Sequence, residues 1–163
     1  MRLILMRHAK SDWSGGGTDH QRTLNARGRR TAPQVAEWLA ANGWQPTAVT
    51  SSDATRTHET WLHLAEHLPG LSPTFTPNLY LAEPQTIIAH AAAHTGEGPL
   101  LLLGHNPGMS EAAHWLTGEP LELATADAAL LEATGADWRA ACARPAGFRL
   151  VRHLVARQIS GDR

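Results

Sequence analysis

The chain has 163 residues, a length that suits one compact domain, so we expect a single domain over residues 1–163. Its 14 Lys and Arg residues against 15 Asp and Glu give a formal net charge of −1, which excludes a general attraction to nucleic acid or to an anionic membrane. One cysteine, Cys142, allows no intramolecular disulfide, and no apolar run approaches the ~20 residues that cross a bilayer. We therefore expect a cytoplasmic protein with no nucleic-acid or membrane partner.

The chain begins with an apolar strand that leads directly into polar residues. The run at 3–6 is followed at once by Arg7 and His8, and it is too short for the apolar core of a signal peptide. The glycine-rich stretch at 14–18 comes next, and we expect it to form a loop beside a site.

Strands and amphipathic helices alternate along the rest of the chain. Further strands are predicted at 47–52, 74–76, 99–104, 128–133 and 148–155. The apolar faces of the helices between them end at stop signals, which are Asn42–Gly43, Pro69–Gly70, Gly96 and Gly118. This alternation predicts an α/β fold, a three-layer αβα sandwich with a mostly parallel central sheet.

Three signals mark where helices begin. Pro33 is expected to open or kink the first helix, and Ser52 or Asp53 to cap the second. Pro84 suits the first position of the third helix.

Polar groups break the apolar pattern just after several predicted strands. They are the pair Arg7–His8, Arg56, the neighbourhood of Glu83, and His105 in the turn GHNPG. Segments that leave the carboxyl ends of parallel strands meet at one crevice, so these residues can come together. Two guanidiniums and two imidazoles in one cleft would repel one another unless an anion lies among them, and the Arg fork matches phosphate oxygens. The pattern therefore indicates a site for a phosphoryl group.

These motifs resemble those of the histidine phosphatase superfamily. LILMRHAKSDWS (3–14) is similar to its Arg-His-Gly signature, with Ala9 in place of the usual Gly. The motifs that resemble the SixA-like phosphohistidine phosphatase branch are DHQRTLNARGRR (19–30), TSSDATRTHETW (50–61) and LLLGHNPG (101–108). They occur in the same order as in that branch, although Asp53 stands where Pro or Ala is more usual. The resemblance extends from residue 1 to about 118 and implies a phosphoglycerate mutase-like fold.

The resemblance also implies roles for individual residues. His8 is the expected nucleophile, and it must be neutral with its other N–H held, for example by a backbone carbonyl. The residues expected to surround the phosphoryl oxygens are Arg7, Arg56 and His105, with His105 protonated. The further phosphate or substrate contacts are Ser11, Ser14 and Arg22, of which Arg22 either lies at the rim or anchors the loop.

The proton donor and the substrate are less directly indicated. Glu83, at a predicted helix start, is the best-placed acid, ahead of Asp19 and Asp12, although a helix N-terminus also favours an acidic residue for its dipole. An imidazole leaving group needs less acid help than an alkoxide, so a chain without a secure acid fits phosphohistidine better than a phosphate ester. We expect a phosphorylated protein of the histidine-phosphotransfer type as partner and inorganic phosphate as product. The alternatives are a phosphatase or mutase for small phosphate esters and a non-catalytic phosphate-binding module.

Two histidine pairs have the spacing of metal ligands on a helix. His63 with His67, and His90 with His94, are four residues apart, but neither pair has an obvious third ligand nearby. We interpret both pairs as solvated helix surface and predict no metal and no cofactor.

Overall fold

Six strands and six α-helices alternate along residues 1–135 and 137–160, the part of the chain that this computed structural model describes. The elements are β1 Arg2–Arg7, α1 Ala26–Ala41, β2 Ala48–Ser52, α2 Thr55–Leu64, β3 Thr74–Thr76, α3 Pro84–Ala92, β4 Leu100–Gly104, α4 Gly108–Thr117, β5 Ala128–Glu132, α5 Trp138–Cys142, β6 Arg149–Leu154 and α6 Ala156–Ser160. The single domain predicted over residues 1–163 includes residues 136 and 161–163, which lie outside the described residues. None of the described helices has the length and apolar character needed to cross a membrane.

The six strands form one mixed sheet in the order β3-β2-β4-β1-β5-β6. β1, β2, β3 and β4 run parallel to one another, and β5 is antiparallel to β1 and β6. Arg7 at the end of β1 lies opposite Gly104 at the end of β4, and Ser51 pairs with Leu103. The carboxyl ends of three neighbouring strands therefore meet at one edge of the sheet.

Helices cover both faces of the sheet, because successive side chains of each strand point to opposite sides. Ile4 and Met6 of β1 pack in the apolar cluster that holds α1, α2 and α6, while Leu3 and Leu5 pack in the one that holds α3, α4 and α5. All four side chains are fully buried, as a strand covered on both faces requires. This confirms the predicted three-layer α/β fold with a mostly parallel sheet.

Several helix boundaries differ from the prediction. The second helix, α2, ends at Leu64 and is followed by a 3₁₀ turn at 65–67, before the expected stop at Pro69–Gly70. Pro33 lies inside α1, so the expectation that it opens the helix is wrong. The helix is capped earlier by Asn25, whose Oδ1 accepts a hydrogen bond from the backbone N–H of Gly28. Pro84 is the first residue of α3, as predicted, but the helix ends at Ala92 and not at Gly96.

The cap predicted for α2 is also wrong. The N-cap residue is Ala54, and no side chain caps the helix. Both candidate caps have partners from distant parts of the chain, since Ser52 contacts His105 and Asp53 pairs with His20. Tertiary contacts have therefore replaced the local capping bond.

The connection between β1 and α1 is pinned at its base. A Cβ atom on Gly28 would lie 2.2 Å from the carbonyl oxygen of Lys10, so only glycine allows this approach of α1 to the chain. The N–H of Asn25 donates to the same carbonyl at 3.0 Å, and Ser11 forms a β-bridge with Leu24. These contacts fix the path of the residues that follow His8.

Candidate functional site

The two histidines expected in the site face each other. The ring centroids of His8 and His105 lie 5.3 Å apart, with the rings inclined at 52°. They meet because β1 and β4 are adjacent and parallel. The backbone N–H of His8 donates to the backbone carbonyl of Gly104 at 3.0 Å. Both side chains are buried, with residue exposures of 5% and 2%.

Two guanidiniums lie beside this pair. Arg7 ends β1 and donates from Nη1 to the carbonyl of Leu123 at 3.2 Å. Arg56, in the first turn of α2 and only 2% exposed, donates from Nη1 to the carbonyl of Asp19 at 2.8 Å and from Nη2 to its carboxylate at 3.0 Å. The structure thus brings together Arg7, Arg56 and both histidines.

Three nitrogen atoms of these side chains are buried and have no hydrogen-bond partner within the described part of the chain. They are Arg7 Nε, Arg56 Nε and His105 Nδ1. A buried polar group without a partner costs about 1–3 kcal/mol, so such atoms are rare unless a ligand satisfies them. Guanidinium nitrogens can only donate, so the missing partner is an acceptor. An oxyanion among these donors meets that need.

His8 has the protonation state of a nucleophile. Burial lowers its pKa to about 3, and the nearby charges of Arg56, Arg7 and Arg22 add to the shift, so the ring is neutral near pH 7. Its Nδ1 lies 2.7 Å from the carbonyl oxygen of Ala9. A carbonyl can only accept, so Nδ1 carries the proton and Nε2 has a free lone pair.

His105 differs from the expectation of a protonated ring. Burial lowers its pKa to about 3, with contributions from His8 and Arg56, so it is neutral near pH 7 in this arrangement of charges. Its Nε2 lies 2.8 Å from the hydroxyl of Ser52, which also accepts a hydrogen bond from the N–H of Ala54 at 3.2 Å. A phosphoryl dianion would add the negative charge that raises the pKa of His105.

Asp19 provides a carboxylate at the rim of this pocket. It accepts hydrogen bonds from Tyr80 at 2.5 Å, from Arg56 at 3.0 Å and from Arg22 at 3.0 Å. The Tyr80 hydroxyl, followed by Arg56 and Arg22, lowers the pKa of Asp19 to about 2 against the effect of its partial burial. Tyr80 also packs edge-on against His105, with ring centroids 5.4 Å apart.

The three expected substrate contacts are placed differently from one another. Ser11 is buried, and its hydroxyl accepts from Nη1 of Arg22 at 2.8 Å. The guanidinium of Arg22 also stacks 3.4 Å from the ring centroid of Trp13, so Arg22 anchors the loop. Ser14 is exposed and donates to Asp12 at 2.7 Å, and this bond holds it within the loop.

Glu83, the acid expected from sequence, is the exposed N-cap residue of α3. Among the described residues, no hydrogen bond or ion pair joins its carboxylate to the side chains around His8. Asp19, the second choice, is the carboxylate that the fold brings to Arg56.

Two residues of the pocket were missed by sequence reasoning. Ser52 was interpreted as a helix cap, although its position at the end of β2 places it at the same sheet edge as His105. Tyr80, the single tyrosine of the chain, follows β3 after a short 3₁₀ turn at 77–79. The signal that could have found both is their position at, or a few residues after, the carboxyl end of a parallel strand.

Among the paired histidines, His63 lies 3.4 Å from Glu66. His94 lies beyond the end of α3 and packs edge-on against Trp138. Its Nε2 is buried without a hydrogen-bond partner among the described residues, so the interpretation as solvated helix surface is wrong for His94. Within the described residues there is no group of three or more His, Cys, Asp or Glu side chains that could hold a metal ion.

Comparison with known proteins gives matches across most of the chain. A family model for the histidine phosphatase superfamily (branch 1) matches residues 3–80. An uncharacterized chloroplastic protein of Arabidopsis thaliana is 37% identical over 163 residues, which cover 91% of this chain and 75% of that protein. An uncharacterized protein of Mycobacterium tuberculosis is 38% identical over 110 residues, which cover 66% of this chain and 67% of that protein.

Solved structures share the whole fold. The crystal structure of a candidate phosphohistidine phosphatase SixA from Agrobacterium tumefaciens is 27% identical, with a TM-score of 0.80 over 94% of this chain and 97% of that one. The protein histidine phosphatase SixA complexed with tungstate is 20% identical, with a TM-score of 0.81 over 98% of this chain and 99% of that one, and this likeness concerns the fold alone.

Proposed function

The chain belongs to the histidine phosphatase superfamily and is an enzyme of that phosphatase class, and we propose that it removes the phosphoryl group from a phosphohistidine on a partner protein. In this proposal the phosphoryl group is transferred to His8, and water then hydrolyses the phosphohistidine and restores His8. The observation that carries the proposal is the buried, neutral His8, whose Nδ1 is held by the Ala9 carbonyl and whose Nε2 is free to attack.

The reaction has two in-line displacements at phosphorus. In the first, the lone pair of His8 Nε2 forms a bond to phosphorus while the bond to the substrate nitrogen breaks, and the substrate imidazole leaves with that electron pair. In the second, a water oxygen bonds to phosphorus, the bond to His8 breaks, and the water proton passes to phosphate or solvent. The products are inorganic phosphate and the unmodified partner.

Charge on the transferring group would be met by donors already in place. Arg7 Nε, Arg56 Nε and His105 Nδ1 are buried and unpartnered within the described chain, so they are the donors left to meet the equatorial oxygens. Loss of one preorganised donor of this kind commonly costs about 3 kcal/mol in the barrier.

The carboxylates of the structure favour a phosphohistidine over an ester substrate. Asp19 lies next to Arg56, but its pKa is lowered to about 2, so it is ionised at neutral pH and has no proton to donate. Glu83 is exposed at the start of α3. An alkoxide leaving group needs a general acid, whereas an imidazole that is already protonated leaves without one.

The surroundings of the pocket support a protein as the partner. Trp13 is 74% exposed, and its ring stacks on Arg22, which bonds to Asp19 at the pocket rim. An exposed aromatic residue beside a pocket is typical of a surface that binds another protein. The A. tumefaciens relative, which is named for phosphohistidine, supports the same substrate class.

The test is a turnover assay on a histidine-phosphotransfer domain labelled with 32P. We expect phosphate release by the wild type, 32P trapped on the enzyme after an alkaline quench, and loss of both with His8→Ala. His114→Ala, which removes an exposed histidine of α4, is the control and should leave both intact. Faster turnover of p-nitrophenyl phosphate or phosphoglycerate than of the labelled domain would instead favour a small-ester phosphatase. Phosphate binding without turnover of any of the three would favour a binding module.

A further inference from the structure

A polar cavity lies next to the segment that follows β1. It has a volume of about 200 Å³, and its lining includes Lys10, Arg27, Thr31, Thr125, Asp127 and Arg157. These residues come from three places: the segment after His8, the first turns of α1, and the segment 124–127 with the start of α6. None of them belongs to the set around His8 and His105.

Three cations on the wall of this cavity have no carboxylate partner. Within residues 1–135 and 137–160, the side chains of Lys10, Arg27 and Arg157 make no hydrogen bond or ion pair. Other arginines among the described residues do pair with carboxylates, for example Arg2, Arg22, Arg56 and Arg149. All three residues are solvent-exposed, and three like charges around one cavity make it attractive to an anion.

The carboxylate on the cavity wall is already satisfied. Asp127 is 2% exposed; its Oδ1 accepts from the N–H of Ala156 at 2.9 Å, and its Oδ2 accepts from the N–H of Ala124 at 3.0 Å and from His153 at 2.9 Å. Asp127 therefore orders the wall and does not pair with the cations. Three cations against one carboxylate leave a net charge of +2 on the lining.

We propose that this cavity is a second oxyanion site, distinct from the pocket at His8, which binds a phosphate group. Two guanidiniums supply the paired donors that fit phosphate oxygens, and Lys10 adds a point charge. The volume lies below the ~300 Å³ at which pockets for drug-sized ligands begin. It suits a free phosphate ion or the phosphate end of a larger molecule.

The cavity is coupled to the tip of β1 through the backbone. The N–H of Ala126 donates to the carbonyl of His8 at 2.9 Å, and the N–H of Arg7 donates to the carbonyl of Asp127 at 3.1 Å. The cavity wall and the catalytic strand end thus share hydrogen bonds. An anion bound here places negative charge near His8 without touching its ring.

The site can be tested by titrating the 15N-labelled protein with sodium sulfate, which is not a product of the reaction. We expect the amide signals of Thr125 and Ala156 to shift in a saturable way. The double variant R27Q/R157Q should weaken this binding at least tenfold, and it should leave the midpoint for the amide of His105 unchanged. The charge-matched control R139Q/R144Q, which removes two exposed arginines at α5 on the opposite face of the sheet, should titrate as the wild type.

Further titrations distinguish the source of the phosphate. Equal binding of inorganic phosphate and glycerol phosphate would indicate a site for the free ion, while tighter binding of glycerol phosphate would indicate an organic phosphate. The proposal would be overturned if R27Q/R157Q titrated like R139Q/R144Q. It would also be overturned if the cavity signals followed the His105 signal with the same midpoint in every variant. Because binding is measured directly, both results are independent of turnover at His8.

Discussion

The substitution Ser52→Ala tests whether the tautomer of His105, and not only its burial, matters for catalysis. In the wild type the Ser52 hydroxyl lies 2.8 Å from His105 Nε2 and accepts from the N–H of Ala54. Its single proton can then be donated to Nε2, which leaves the proton of the neutral ring on Nδ1. This places an N–H donor on the buried His105 nitrogen that has no protein partner in the described chain.

The size of the effect follows from these contacts. Ser52→Ala leaves two buried polar groups without a partner, His105 Nε2 and the backbone N–H of Ala54, and each costs about 1–3 kcal/mol of stability. At this chain length each kcal/mol lowers Tm by roughly 2–4 °C. The upper limit on catalysis is the full loss of one donor, about 3 kcal/mol. In the variant His105 stays in place, but its tautomer and ring orientation are no longer fixed. We therefore expect kcat/KM to fall by about 10- to 100-fold.

The assay is phosphate release from a phosphohistidine carrier, with thermal denaturation of the same samples. Ser51→Ala is the matched control, because Ser51 is equally buried and its hydroxyl donates to the carbonyl of Ser52 at 2.9 Å, without contact to His105. NMR of the imidazole nitrogens should show Nδ1–H on His105 in the wild type and a mixture in Ser52→Ala. Equal kcat/KM for the Ser51 and Ser52 variants would refute the reasoning.

Three further predictions concern the acid, the pH and the partner. Glu83→Gln should change turnover of phosphohistidine by less than about twofold, since the leaving imidazole needs no acid; a loss of tenfold or more in that assay would restore Glu83 as the proton donor. The pKa of both His8 and His105 is lowered to about 3, so the unfolded chain binds more protons below pH 6.5 and stability falls as the pH drops from 6.5 toward 3. Each histidine adds up to about 1.4 kcal/mol per pH unit to the pH dependence of the free energy of unfolding. Denaturant melts between pH 6.5 and 4.5 should therefore show a shallower dependence on pH for His105→Gln than for the wild type. Trp13→Ala should raise KM for the phosphorylated protein and leave KM for p-nitrophenyl phosphate unchanged; parallel changes in both KM values would place Trp13 in the pocket.

The fold could be predicted because its signals are local and repeated. The continuous apolar runs of β1 and β4 indicate strands covered on both faces, and they occupy neighbouring positions in the centre of the sheet. The meeting of His8 and His105 follows from that topology, since each comes just after one of these strands. The four residues at the heart of the pocket therefore needed only the strand ends and the motif resemblance.

The remaining parts of the pocket depend on contacts that no local pattern records. Ser52 resembles a helix cap when only its neighbours are considered, and its partner His105 is 53 residues away. Glu83 has the local setting of an acid at a helix start, whereas Asp19 reaches Arg56 only because of the path of an irregular loop. The neutral state of His105 likewise results from burial by several elements, which the sequence does not reveal.

The contact between Asp19 and Arg56 has a consequence for which metabolites can compete with the substrate. The two outer nitrogens of the guanidinium already hold a carbonyl and a carboxylate from within the chain. Any anion that enters meets repulsion from Asp19, and a singly charged carboxylic acid has only two acceptor oxygens to offset that repulsion. A phosphoryl dianion carries more charge and more acceptor oxygens, so it can also use the free Nε atoms. We therefore expect Asp19 to weaken the binding of singly charged carboxylic acids more than that of a phosphoryl dianion.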